Sequence, residues 1–164
     1  MAPFTLNIHG PCAWGDGQPK VPAHPSSTHL GMASAFSEGA TALHEASPHC
    51  AIAIALLLSQ GCENALKAWL SRAGKRDDLY VAKIRHDLER LWLLAVEEGL
   101  EIEAEVPAWI GHLAKTHRKP YKNRYSEDEM MVIHPDLGTH CKGLSKLLTI
   151  IASSLKKPRS QPAK

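Results

Sequence analysis

Residues 47–73, SPHCAIAIALLLSQGCENALKAWLSRA, leave the chain few structures to choose from. Ala51, Ala55, Leu58, Cys62, Ala65 and Trp69 recur at alternating spacings of four and three, the seam of an α-helix, and Ile52, Ile54, Leu56, Leu57 and Leu66 widen that seam. Such a segment is a long helix buried on most of its circumference. Ser47 offers an N-cap, Pro48 suits the first helical position, and Gly74 closes the pattern. The first half carries no charge. The second half sets Glu63, Asn64 and Lys67 among apolar neighbours, where ionic and amide groups require partners because burying them alone is costly.

The flanking pattern is helical as well. Met32, Phe36, Ala40 and Leu43 predict an amphipathic helix from Thr28, a possible cap, to Ala46. After the charged link KRDDLY, Ile84, Leu88, Leu91, Trp92, Ala95 and Gly99 trace one face of a third helix, with His86 and Asp87 at its start, where a carboxylate suits the partly positive N-terminus. Pro107 opens a fourth, with Val106, Trp109, Ile110, Leu113, Ala114 and His117 on one stripe, ended by Lys119 and Pro120. Residues 120–138 read as a polar loop, long enough to be a functional segment. Cys141, Leu144, Leu147, Leu148, Ile151 and Leu155 then mark a last helix over about 139–155. No strand pattern competes, so the expected fold is all-α: an antiparallel up-and-down bundle of about five helices. The bundle spans 28–157. It is preceded by an irregular arm over 1–27, which holds five of the eleven prolines, and followed by a disordered basic tail over 158–164.

Composition narrows the function. A chain of 164 residues with 44 % hydrophobic and 22 % charged residues suits one soluble domain. The net charge of +2 does not mark a basic nucleic-acid glove, because Lys156, Lys157, Arg159 and Lys164 crowd the end and leave the remainder slightly acidic. The opening MAPFTLNIHG lacks the pattern of a secretory signal, and the apolar run 51–58 is too short to span a bilayer. Cys12, Cys50, Cys62 and Cys141 show no CxxC spacing and fit a reducing cytosol, so a cytoplasmic protein with no membrane partner is expected.

Motifs of strong specificity are missing. No glutamate is followed three residues later by histidine, as a di-metal bundle requires, and His44/His49, His112/His117 and His134/His140 are badly spaced for ligands on one helix face. Neither a metal nor another cofactor is expected. What remains is softer: Glu63 and Lys67 four apart on one helix, His86 beside Asp87, His117 beside Arg118, and Arg124 beside Tyr125 in the loop. Each also has an ordinary reading, as a solvated pair, a helix start, a core histidine or exposed side chains. If Glu63, Asn64 and Lys67 face inward, the groups placed to satisfy them are His86 and Asp87 on the next helix and His117 and Arg124 beyond the fourth. Histidine titrates near neutrality and arginine grips phosphate bidentately, a combination suited to a nucleotide or RNA phosphate.

The segment LLLSQGCENALKAWLSRAG, the short charged link and the HDLERLWLLA segment resemble the central helix pair of the HEPN superfamily (higher eukaryotes and prokaryotes nucleotide-binding). In that superfamily a Glu-x-x-x-Lys helix precedes a leucine-rich helix opened by His-Asp-Leu. Glu63 and Lys67 stand at the first pair, and His86, Asp87 and Leu88 at the second. The match covers roughly residues 50–98, and the helical order about 30–155. The resemblance implies a compact bundle, commonly a homodimer, associated with RNA or nucleotides and often placed beside a partner protein in toxin–antitoxin or defence systems. Many members are metal-independent ribonucleases with an Arg-x(4–6)-His element. This chain departs from that pattern, since none of its arginines has a histidine at the required spacing; only the reverse order exists, His117 with Arg124. The resemblance thus implies an accessory protein without standard nuclease activity. The alternatives are a metal-independent endoribonuclease built on His117, Arg124 and His86, or a dimerisation or protein-docking module in which Trp69, Trp92 and Trp109 face a partner or fill the core.

Overall fold

The computed structural model describes residues 25–74, 86–117 and 136–156. The described residues form five helices: α1 (Pro25–Ala46), α2 (Ala51–Arg72), α3 (Leu88–Glu97), α4 (Ala108–His117) and α5 (Leu137–Lys156). No strand occurs among the described residues. The described residues therefore form the expected all-helical bundle, and none of their helices is long and apolar enough to cross a membrane.

α2 is the axis, packing against each of the other four helices. From Leu58 to Ser71 every residue but Gln60 and Trp69 is buried, so the helix presents almost no outer face. Its pairing with α1 is antiparallel: Gly39 lies against Leu57, Gly61 against Phe36 and Ala33, and His29 against Asn64, so numbers fall along α1 as they rise along α2. The core joins α2 to Leu88, Leu91 and Trp92 of α3, Ile110 and Leu113 of α4, and Leu144, Leu147 and Ile151 of α5. Each fully buried leucine or isoleucine contributes roughly 1.5–3 kcal/mol through removal of apolar surface from water.

Several boundaries differ from the sequence reading. α1 begins at Pro25 rather than Thr28, because proline lacks only an N–H that the first turn leaves unbonded and has its φ already set for helix. The bundle thus starts three residues into the expected arm, whose residues 1–24 lie outside those described. Ser47 does not cap α2: its N–H donates to the Leu43 carbonyl (2.8 Å) and its carbonyl accepts from the Cys50 N–H (3.0 Å). Ser47 and Pro48 therefore form the turn between α1 and α2, and Cys50 takes the N-cap position without a side-chain bond.

α3 is bounded as its chemistry requires. Asp87 at the N-cap accepts from the Arg90 N–H (3.1 Å). At the other end Gly99 adopts φ +82°, its N–H reaches the Val96 carbonyl, and the Leu100 N–H reaches the Ala95 carbonyl, both at 2.9 Å. This is a Schellman ending, with Leu100 buried as its apolar plug. The Trp92 indole N–H then donates to the Glu103 carbonyl (2.9 Å) and pins the link to α4. Trp92 is a core residue, and Trp69 and Trp109 pack partly buried against that core. α5 starts at Leu137, two residues before the expected position, and His140 is a buried residue of its first turn. The 158–164 tail and most of the 120–138 loop lie outside the described residues.

Candidate functional site

Glu63 is the centre of a buried polar cluster. It lies on the part of α2 enclosed by α3 and α4, with 5 % of its surface exposed. Lys67, one turn further along, donates from Nζ to Glu63 Oε1 at 2.6 Å. The other oxygen, Oε2, meets two imidazoles: His117 Nε2 from the last residue of α4 at 2.6 Å, and His86 Nδ1 from just before α3 at 3.1 Å. The two rings stand edge to face with centroids 6.2 Å apart. Side-chain exposure grades outward, from 1 % at His117 and 6 % at Glu63 to 11 % at Lys67 and 29 % at His86. His86 is therefore the flank that solvent reaches.

The electrostatics fix the proton positions. Burial pushes the Glu63 carboxyl up, but the hydrogen bonds from His117 and Lys67, the Lys67 charge and the bond from His86 together outweigh it and hold the group at about 2. Glu63 is accordingly a carboxylate, and a carboxylate only accepts, so both imidazoles donate to it. A neutral His117 then carries its proton on Nε2. Its Nδ1 is buried with no hydrogen-bond partner among the described residues.

The remaining candidates separate. Asn64 faces α1 instead: its Oδ1 accepts from His29 Nδ1 (2.9 Å) while its Nδ2 donates to the Gln60 carbonyl (2.9 Å). Asp87 caps α3. Arg118, Arg124 and Tyr125 lie outside the described residues. Of the residues singled out by sequence, the fold thus brings Glu63, Lys67, His86 and His117 to one point.

Two features were not legible. His29 partners Asn64 from α1, and nothing in its own neighbourhood marks it. Around Trp109, His112 and His140 stack with centroids 5.7 Å apart, and His140 Nδ1 lies 2.6 Å from the Asp136 carbonyl. Burial lowers the His140 pKa, outweighing that bond, which raises it.

Cysteine chemistry is quiet in the described part. Cys50, Cys62 and Cys141 are free, and burial pushes the Cys62 thiol far up, against a smaller lowering by a backbone hydrogen bond. Cys62 is a core hydrophobe.

The donor set at Glu63 is also one that metals use. The ligand atoms of Glu63, His86 and His117 all lie within 4.8 Å of one another. Spacing along the chain did not expose this, because the three residues come from three separate elements. No protein-family model matches the chain, and neither a curated protein nor a solved structure matches it.

Proposed function

We propose that this chain is a HEPN-like nucleotide- or RNA-associated accessory protein, working beside a partner protein in a toxin–antitoxin or defence setting and without the standard nuclease activity. The observation that carries the reading is the meeting at Glu63 of the Glu63–Lys67 pair with His86 from the His-Asp-Leu segment. Those are the positions on which the sequence resemblance rests, and their meeting supports the reading. The burial of His117, at 2 % exposure, counts against an endoribonuclease that uses it as base, since no 2′-hydroxyl reaches it. Among the described residues the large exposed apolar side chains are Met32, Ile52 and Leu93, one each on α1, α2 and α3.

Glu63 neutralises Lys67, so a phosphate gains little from that ammonium. A groove of about 470 Å³ is lined by Ser26, Ser27 and Ser34 at the amino end of α1 and by Arg72 and Lys156 at the carboxyl ends of α2 and α5. Serine hydroxyls beside an arginine and a lysine are side chains of the kinds that bind phosphate oxygens. Fluorescence anisotropy with labelled single-stranded RNA and with ATP tests the reading. Binding that weakens with salt and falls about tenfold or more in the Arg72→Gln/Lys156→Gln double variant is expected, with the RNA left uncut in EDTA. Absence of binding to both probes overturns the nucleotide reading, and cutting that disappears in His117→Ala replaces it with the endoribonuclease.

A further inference from the structure

We propose that Glu63, His86 and His117 form a binding site for one divalent transition-metal ion, held through Glu63 Oε2, His86 Nδ1 and His117 Nε2. The inference does not depend on the nucleotide reading.

Two imidazoles and one carboxylate are the ligand set of open, three-ligand zinc sites and of the facial triads that hold ferrous iron, whereas Mg²⁺ and Ca²⁺ prefer oxygen throughout. The geometry is close to what such an ion needs. With metal–ligand bonds of about 2.0–2.1 Å in a tetrahedral arrangement, ligand atoms sit about 3.3 Å apart. Here Oε2 is 2.6 Å from Nε2 of His117 and 3.1 Å from Nδ1 of His86, and all three ligand atoms lie within 4.8 Å of one another, so the imidazoles swing away from Oε2 to admit an ion.

Lys67 occupies Oε1, which leaves Oε2 as a single directed ligand and supplies the outer hydrogen bond that orients it. Each imidazole binds through a nitrogen that carries no proton, so metal uptake either releases that proton or moves it to the other ring nitrogen. Charge decides the fourth position. Glu63 and Lys67 cancel, so the ion keeps its full charge in a buried site, and an anionic fourth ligand such as hydroxide or a phosphate oxygen is favoured there. The 29 % exposed His86 side is where that ligand enters.

Chelator-treated protein titrated with Co²⁺ and with Zn²⁺ alone tests the site. The expected result is one equivalent of Co²⁺ bound with visible d–d absorption and no thiolate charge-transfer band, displacement of Co²⁺ by Zn²⁺, and a rise in Tm with Zn²⁺. His86→Ala, which removes the most exposed ligand and leaves the core intact, is expected to weaken binding by about 100-fold or more, beyond what loss of an outer partner costs. His49→Ala, at an exposed histidine in the α1–α2 turn, is expected to bind as the parent does. A thiolate band, stoichiometric binding unchanged in His86→Ala, or no stoichiometric binding in a protein whose circular dichroism shows it folded would each overturn the proposal. RNA and nucleotide binding measured in EDTA fails or succeeds separately from this result.

Discussion

At the scale of single residues, Glu63 carries more than any other side chain, because it is the acceptor that ties α2, α3 and α4 together through Lys67, His86 and His117. Its depressed pKa makes a definite statement about acid. A carboxyl held at about 2 when folded and 4.5 ordinarily contributes stability that is fully present above about pH 4.5. That contribution drains away as pH falls toward 2. The gap corresponds to about 3 kcal/mol, at roughly 1.4 kcal/mol for each tenfold change in proton affinity. Urea unfolding at steps between pH 6 and 2 should show that decline in the parent and a much shallower one in Glu63→Gln. Glu63→Gln should also be less stable at neutral pH by about 3–5 kcal/mol, since it leaves the buried Lys67 ammonium without its counter-charge. A parent and variant with parallel pH profiles would show that Glu63 is not ionised in the fold.

At the scale of elements, helix contacts are set by where a side chain is missing. A Cβ on Gly143 of α5 would lie 2.7 Å from Trp109 Cε2 and 2.9 Å from Cδ2, inside the van der Waals limit of a rigid ring. Trp109 has little room to retreat, being stacked edge to face on Trp92 with centroids 6.3 Å apart. Gly143→Ala should therefore destabilise by roughly 1–2 kcal/mol net, overpacking outweighing the gain of about 1 kcal/mol in helix propensity, with a change in tryptophan fluorescence. Gly31 of α1 is the control, since nothing lies within 4 Å of its added Cβ. Gly31→Ala should stabilise by up to about 1 kcal/mol. Equal shifts in the two Tm values would mean that the α4–α5 contact is not close-packed.

At the scale of the whole molecule, the helices were legible because apolar spacing of three and four follows directly from a helix burying one side, as in Ala51, Ala55, Leu58 and Cys62. Glu63 and Lys67 were legible for the complementary reason, as charges on a stripe with nowhere to solvate them. Their partners were legible only as candidates. Whether His86 or Asp87 turns inward depends on a cap bond that spacing does not encode, and His29 enters through the antiparallel register of α1, which emerges only on packing. The start of α2 was misread because Ser47 is equally competent to cap a helix or to close the preceding one, and the tertiary turn decides.

That packing has a kinetic signature. Because α2 touches all four other helices, its amides from Leu58 to Leu70 can open only when the bundle does. Those amides should exchange with deuterium at the rate set by global unfolding at neutral pH, while the ten-residue α3 and α4 exchange faster through local opening. Near pH 3, with Glu63 partly protonated, protection at the Glu63 turn of α2, at the start of α3 and at the end of α4 should fall together. Loss confined to one of the three would mean that Glu63 does not couple them.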